Sequence, residues 1–322
     1  MKILSVVMII LFAYTPQMAD WDSILMSESL TFSLFALQLA ILIKLTFLIY
    51  KKQNSTASIY IVIWAIIFFL WTFLRDTNVF ASFVLIGMIV SLLVSNKYRK
   101  NKYLLSSLAF VAAIFILGLT TSSHSTRSLV QMTNIYNDDL LRSPASVSTL
   151  KELGGMPPPD STEYPAWFQK NSAKTLIKFM LIHPGYPIFK IIKDFPQSFT
   201  EIKQTYFKVP WQGPFRDNLM TIGDAIHPEN TTPFLMDTIL LFGIVYLAIK
   251  NKNNSQPWAW VGVWLFLTAG ITLIASILGD TWALNRHALF STTIYRLFMW
   301  VFPIIIMDIA IEHQSNEGKI TV

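Results

Sequence analysis

The chain has 322 residues, of which 53% are hydrophobic and only 14% charged, with a net charge of +6 and a pI near 9.3. Cysteine is absent, which excludes a disulfide framework, a thiolate metal site and a cysteine nucleophile. The positive charge sits in short lysine-rich connections and one polar segment, not in a basic stripe with a recognition motif, so no nucleic-acid partner is expected.

Met1–Tyr14 is a lysine followed by an apolar run shorter than a full membrane crossing. Gln17 and Ala19 stand at the positions a signal-peptide cleavage site would use, and Gln is a poor residue there, so a retained short helix is expected. Four longer apolar runs follow: Ser29–Tyr50, Ser58–Leu74, Val79–Ser95 and Tyr103–Thr120. A polar stretch, Thr121–Pro233, comes next, and then Phe234–Lys250, Pro257–Leu278 and Ser291–Ile311. A helix needs about 20 apolar residues to cross a bilayer core, and in lipid each such segment must satisfy its own backbone amides. The expected fold is an all-α polytopic membrane protein of about eight transmembrane helices with one large extracytoplasmic loop region. Residues 1–120 form an N-terminal bundle of about five helices, 121–233 the outer region, and 234–322 a C-terminal bundle of about three.

The connections alternate in charge. Lys51 and Lys52 lie in one, Lys97, Arg99, Lys100 and Lys102 in another, and Lys250 and Lys252 in a third, all on the side of Lys2 and Lys319. The opposite loops, Thr15–Glu28, Arg75–Asn78 and Gly279–Phe290, are mostly acidic, with Arg75 and Arg286 as their bases. Lysine-rich loops are cytoplasmic, which puts the protein in the cytoplasmic membrane with both termini inside and 121–233 outside.

Within the outer region, Thr121–Ser161 reads as loop with short helical pieces, closing in the rigid turn Gly154–Asp160. A helix over Lys174–Ile182, capped by Asn171 or Ser172, is expected to stop at His183-Pro184-Gly185. Ile188, Ile191, Ile192, Phe195, Phe199 and Ile202 recur at steps of three and four, with Pro196 breaking or restarting the helix. Interfacial helices and a small globular cap are both compatible with this pattern.

Charged residues concentrate at the outer boundary: Asp20, Asp22, Glu28, Arg75, Asp76, Asp280, Arg286 and His287. Three loops thus deliver carboxylates and bases to one water–lipid surface, as a site for the polar head of a lipid would require. Asp20, Asp22 and Glu28 are the candidates for general-base chemistry or for holding a divalent metal. Arg75, Asp280, Arg286 and His287 are the candidates for substrate binding, since a guanidinium fork matches a phosphate. The plainer alternatives are solvated loop residues and a local Arg75–Asp76 ion pair. Asp224, His227 and Glu229 are read as a loop hydrogen-bond network in preference to a metal site. Lys44, Asp237, Arg296 and Asp308 are placed within about two turns of helix ends, leaving no mid-membrane relay of the kind transporters use.

Two stretches resemble the GT-C superfamily, the multi-pass glycosyltransferases that use polyprenyl-phosphate sugars. Asp20-Trp21-Asp22-Ser23-Ile24-Leu25-Met26-Ser27-Glu28-Ser29-Leu30 is similar to the entry of a middle transmembrane helix. Gly279-Asp280-Thr281-Trp282-Ala283-Leu284-Asn285-Arg286-His287-Ala288-Leu289 resembles the Gly-Asp…Arg-His opening of a late helix in bacterial glycan hexose transferases. Gly155-Met156-Pro157 and His183-Pro184-Gly185-Tyr186 look like parts of their outer loop. The resemblance implies a polyprenyl-phosphate-linked sugar as donor, a glycan or lipid acceptor, membrane lipid as the surroundings and no resident cofactor, a divalent metal being the open alternative. It places Glu28 near the substrate cavity and Arg286 and His287 near a lipid phosphate. In that superfamily the catalytic Asp lies in a long first external loop, whereas Asp20-Trp21-Asp22 here is flanked by the later helix entry. The chain is therefore expected to be an N-terminally short member whose own transfer activity is weak. A glycan polymerase or ligase, and a non-enzymatic transport or assembly protein, are the competing readings.

Overall fold

The computed structural model describes residues 2–22, 27–96, 98–123, 126–205, 213–250 and 254–317. All regular structure among them is helical. Among the described residues, seven helices are long and apolar enough to cross a membrane. These are α3 (Ser27–Tyr50), α4 (Asn54–Thr72), α5 (Ala81–Val94, led in by the 3-10 turn Asp76–Phe80), α6 (Lys102–Ser123), α12 (Thr232–Lys250), α13 (Ser255–Gly279) and α14 (Leu284–Glu317). The expected eighth, α1 (Lys2–Ala13), spans only about 18 Å and turns by 65° into α2 (Pro16–Asp22), so the two count as a crossing only if taken together.

α13 is the hub, packing on α3, α5, α12 and α14. Trp264 stacks on Phe35 at 5.1 Å, and Phe290 meets Phe35 edge-on at 5.0 Å. The outward faces are apolar: on α12, Leu235, Ile239, Phe242, Tyr246 and Ile249 form an exposed stripe at helical spacing. A stripe of this extent needs an apolar surrounding. Between helices already in lipid, close packing and interhelical hydrogen bonds supply the attraction, because leaving lipid for protein releases no water. At one end of the bundle Asp308 accepts from Trp258 Nε1 (2.9 Å) and Asn254 Nδ2 (3.1 Å), near the lysine-bearing connections. The other end carries Glu28, Arg75, Asp280 and Arg286. Lys97, Lys252 and Lys319 lie outside the described residues.

Sequence position understates how deep two charged groups lie. Arg296 is twelve residues into α14, not near its end, and is 1% exposed; Asp237 on α12 is wholly buried. Arg296 donates to the carbonyls of Phe199 (2.8 Å) and Pro228 (3.1 Å), and Trp300 Nε1 donates to that of Ile226 (2.8 Å). Trp21 Nε1 donates to the Ile202 carbonyl (2.8 Å). Part of the segment 121–233 is therefore bolted into the bundle through its backbone.

The rest of that region is a helical cap with its own core, more ordered than a loop. It comprises α7 (Thr126–Ile135), a π-helical turn at Tyr136–Leu140, α8 (Pro144–Gly154), α9 (Tyr164–Ile182) and α10 (Gly185–Asp194), then a 3-10 turn Gln197–Phe199 and α11 (Pro214–Ile226). Ile135, Tyr136, Leu140, Leu150, Met156 and Phe179 pack together with little contribution from the bundle. Ser143 caps α8 with Pro144 as its first residue, and Gly155 ends it at φ 60°, in the left-handed region where glycine carries no Cβ penalty. α9 starts at Tyr164, ten residues before the expected Lys174, because Pro165 supplies a preset first turn. It ends at Ile182, and Pro196 separates α10 from the 3-10 turn, both as the sequence indicates. α10 is turned inside out: Ile188, Phe189 and Ile192 are exposed while Lys190 is buried.

Candidate functional site

Glu28 stands in the first turn of α3, where the helix N-terminus favours a carboxylate. It is 1% exposed. Arg286 Nε, from the first turn of α14, donates to Glu28 Oε1 at 2.9 Å, and Arg75 Nη1 lies 3.9 Å from the same oxygen. Arg75 is thus aimed across the bundle at Glu28, not sideways at Asp76. Its place is set by an extended residue before the 3-10 turn, while Asn78 Nδ2 ties that turn to the Trp71 carbonyl at 2.9 Å. Arg75 Nη1 is buried and has no hydrogen-bond acceptor among the described residues. Burial lowers the Arg75 guanidinium from its ordinary value and Glu28 opposes that effect; the group remains a cation.

Asp280 caps the end of α13 with 6% exposure. Its Oδ1 accepts from the backbone amides of Thr281 (2.7 Å) and Trp282 (3.0 Å) and from Asn134 Nδ2 of the cap (2.9 Å). Its Oδ2 lies 3.4 Å from His287 Nε2, and Ser276 Oγ donates to the His287 carbonyl at 3.0 Å. Asp280 therefore sets a carboxylate against the imidazole. His287 and Asp280 open on a cavity of about 120 Å³ that Ser276, Asp76 and Gln131 also line. Glu28, Arg75 and Arg286 are not among the residues lining that cavity.

The structure thus joins Glu28, Arg75 and Arg286 in one cluster and Asp280 with His287 beside it. Asp20 belongs to a different contact: Arg216 Nη2 of α11 donates to its Oδ2 at 2.6 Å. Asp22 is exposed at the end of α2, and residues 23–26, between it and Ser27, lie outside the described residues. Asp224, His227 and Glu229 face separate partners: Asp224 takes Gln17 and Lys203, His227 bonds Thr15 Oγ1 at 2.8 Å, and Glu229 accepts from the Ile202 amide. Among the described residues no group of three or more His, Asp or Glu is placed to hold a metal ion.

Sequence reasoning missed a second polar group on the same loop. Thr281 Oγ1 (3.0 Å) and Trp282 Nε1 (2.7 Å) both donate to Asp138 Oδ2, on the π-helical turn. These hydrogen bonds, with the Arg142 guanidinium, hold the Asp138 carboxyl below its usual range. Next to it Asp139 Oδ2 accepts from Tyr186 (3.0 Å) and pairs with Lys190 (3.0 Å), which also binds Asp194 (3.0 Å). The adjacent Asp138-Asp139 pair was the available signal, since π-helical turns gather at functional sites. No protein-family model, curated protein or solved structure matches the chain.

Proposed function

We propose that the chain is a multi-pass protein of the cytoplasmic membrane with eight crossings, both termini cytoplasmic and residues 121–233 outside. We further propose that it acts as a GT-C-type glycosyltransferase, moving a sugar from a polyprenyl-phosphate carrier to an extracytoplasmic glycan or lipid acceptor. The observation that supports the reading is the Arg75–Glu28–Arg286 cluster: two guanidiniums on one carboxylate, with the Arg75 Nη1 donor unspent, at the end of an apolar bundle. Asp76 also acts on Arg75, so what the cluster offers is a buried guanidinium donor without an acceptor. An anionic phosphate whose tail stays in lipid would supply that acceptor.

In this reading Glu28 holds the guanidiniums in place, and Arg75 and Arg286 stabilise charge on the departing phosphate, in a site where water is scarce and each interaction counts for more. His287, beside Asp280 and next to Arg286 in the first turn of α14, is the proton donor. The acceptor hydroxyl loses its proton to a carboxylate, for which exposed Asp22 is less committed than Asp20 with its Arg216 partner. Purified protein in lipid, given a labelled polyprenyl-phosphate hexose and membrane acceptors, tests this. Phosphate-dependent transfer is expected, reduced roughly 10²–10⁴-fold by Asp22→Asn. Transfer that survives Arg75→Gln and Arg286→Gln unchanged would sink it.

A further inference from the structure

A cleft of about 550 Å³ lies between the cap and the loop joining α13 to α14. Its volume falls within the range of small-ligand sites, enough for about one or two hexose rings. One wall is the π-helical turn with Asp138 and Asp139; the other is Trp282 and Asn285, with Glu201 between them. We propose that this cleft binds a saccharide.

Three observations carry the inference. The first is Trp282. Its indole nitrogen is anchored on Asp138, yet the side chain is 65% exposed. An aromatic face left bare in water while its edge is fixed is a preformed platform, and the CH face of a pyranose ring is the partner such a platform suits. The second is charge. The lining holds four carboxylates, three cations and four amide or hydroxyl side chains. Arg142 is paired with Asp138, and Lys190 with Asp139 and Asp194, so little net charge is offered to an ionic ligand. What remains is a dense set of acceptors and donors in fixed positions, which suits a neutral polyhydroxylated molecule. The third is backbone strain. Of three non-glycine residues with positive φ among those described, two, Glu201 (φ 55°) and Ala283 (φ 48°), line this cleft. Left-handed backbone at such residues persists only where the surroundings hold it, and it gathers at ligand clamps. Here the two strained segments are tied together by Asn285 Nδ2 donating to Glu201 Oε2 at 2.7 Å.

The ligand class follows from these lining groups and does not depend on glycosyl transfer at Glu28. The same ring chemistry is offered by a free oligosaccharide and by the head of a glycolipid. Saturation-transfer NMR on the full chain in nanodiscs separates them. The probes are di- and trisaccharides of glucose, mannose, galactose and N-acetylglucosamine, and the same headgroups on lipids in the disc. Ring-proton signals from at least one sugar are expected, with about tenfold weaker binding in Trp282→Ala, largely restored in Trp282→Phe. Glu201→Gln keeps the fold and should weaken binding severalfold. Signals from the free sugars identify a soluble glycan ligand, and signals only from the lipid-borne heads a glycolipid. Absence of ring-proton transfer from every probe in both forms, or binding unaltered in Trp282→Ala, overturns the proposal.

Discussion

The two polar compartments share the loop after α13 and differ in how they treat charge. Around Glu28, three charged groups are packed at the end of an apolar bundle, and one guanidinium donor is left without an acceptor. In the cleft beyond Trp282, cations and carboxylates are matched and the lining stays open to water. Asp280 contacts His287, the neighbour of Arg286, while Thr281 and Trp282 reach the cleft through Asp138. The difference teaches that a buried cationic donor without an acceptor selects an anion, whereas paired charge beside a bare aromatic face selects shape and hydroxyl pattern.

The sharpest way to break the comparison is to neutralise Glu28. Glu28→Gln leaves two guanidiniums facing each other at the bundle end, and removing one partner of a buried pair costs about 3–5 kcal/mol. Unfolding in denaturing detergent should show a loss of that order, whereas Asp138→Asn in the open cleft should cost far less. Equal losses would mean that the two compartments do not differ as described.

Acidification sharpens it further. His227, bonded to Thr15 where the outer region meets α1, has its imidazole lowered to about 4, chiefly by burial and then by the Arg296 charge. The unfolded chain therefore binds the proton more readily. Its contribution is fully present above pH 6.5 and is lost as pH falls through about 4, amounting to about 2–3 kcal/mol. Asp138 is held below its ordinary 3.8, so its share survives until lower pH. Hydrogen exchange at pH 7 and pH 4.5 should find the Thr15–His227 junction loosened before the cleft. His227→Gln should flatten this dependence.

Two smaller perturbations act in the cap alone. A Cβ on Gly154 would lie 2.2 Å from Thr175 Oγ1, so Gly154→Ala should push α8 from α9 at a cost of about 1–3 kcal/mol. Thr175→Ala in the same chain should recover much of it, and thermal melts of the double variant check this. Arg142→Ala removes a pair in which the guanidinium is 71% exposed, and should change stability by less than about 1 kcal/mol.

The apolar runs of α3 to α6 and α12 to α14 could be read from the sequence because a lipid-facing helix must be apolar along its length, and their exposed stripes bear this pattern. Arg75, Glu28, Arg286, Asp280 and His287 could be suspected because each falls in a loop at the same end. Which carboxylate meets which cation could not, since Arg75 and Glu28 are adjacent only once α3 and α4 pack. The cleft escaped notice for the same reason: Asp138 and Trp282 are 144 positions apart. Interfacial helices and a cap could not be told apart because the core is built from short helices whose apolar faces, as on α10, point both inward and outward. Arg296 deceived in another way. Its role is to hold the carbonyls of Phe199 and Pro228, and no local pattern announces a partner on a distant backbone.

The central claim is that the Arg75–Glu28–Arg286 cluster receives an anionic lipid head. Competition between a polyprenyl phosphate and the corresponding polyprenol for the native protein in nanodiscs, followed by native mass spectrometry, tests it most directly. The account predicts at least about tenfold preference for the phosphate, falling toward parity in Arg75→Gln and Arg286→Gln. Equal binding of the two lipids by the native protein would contradict it.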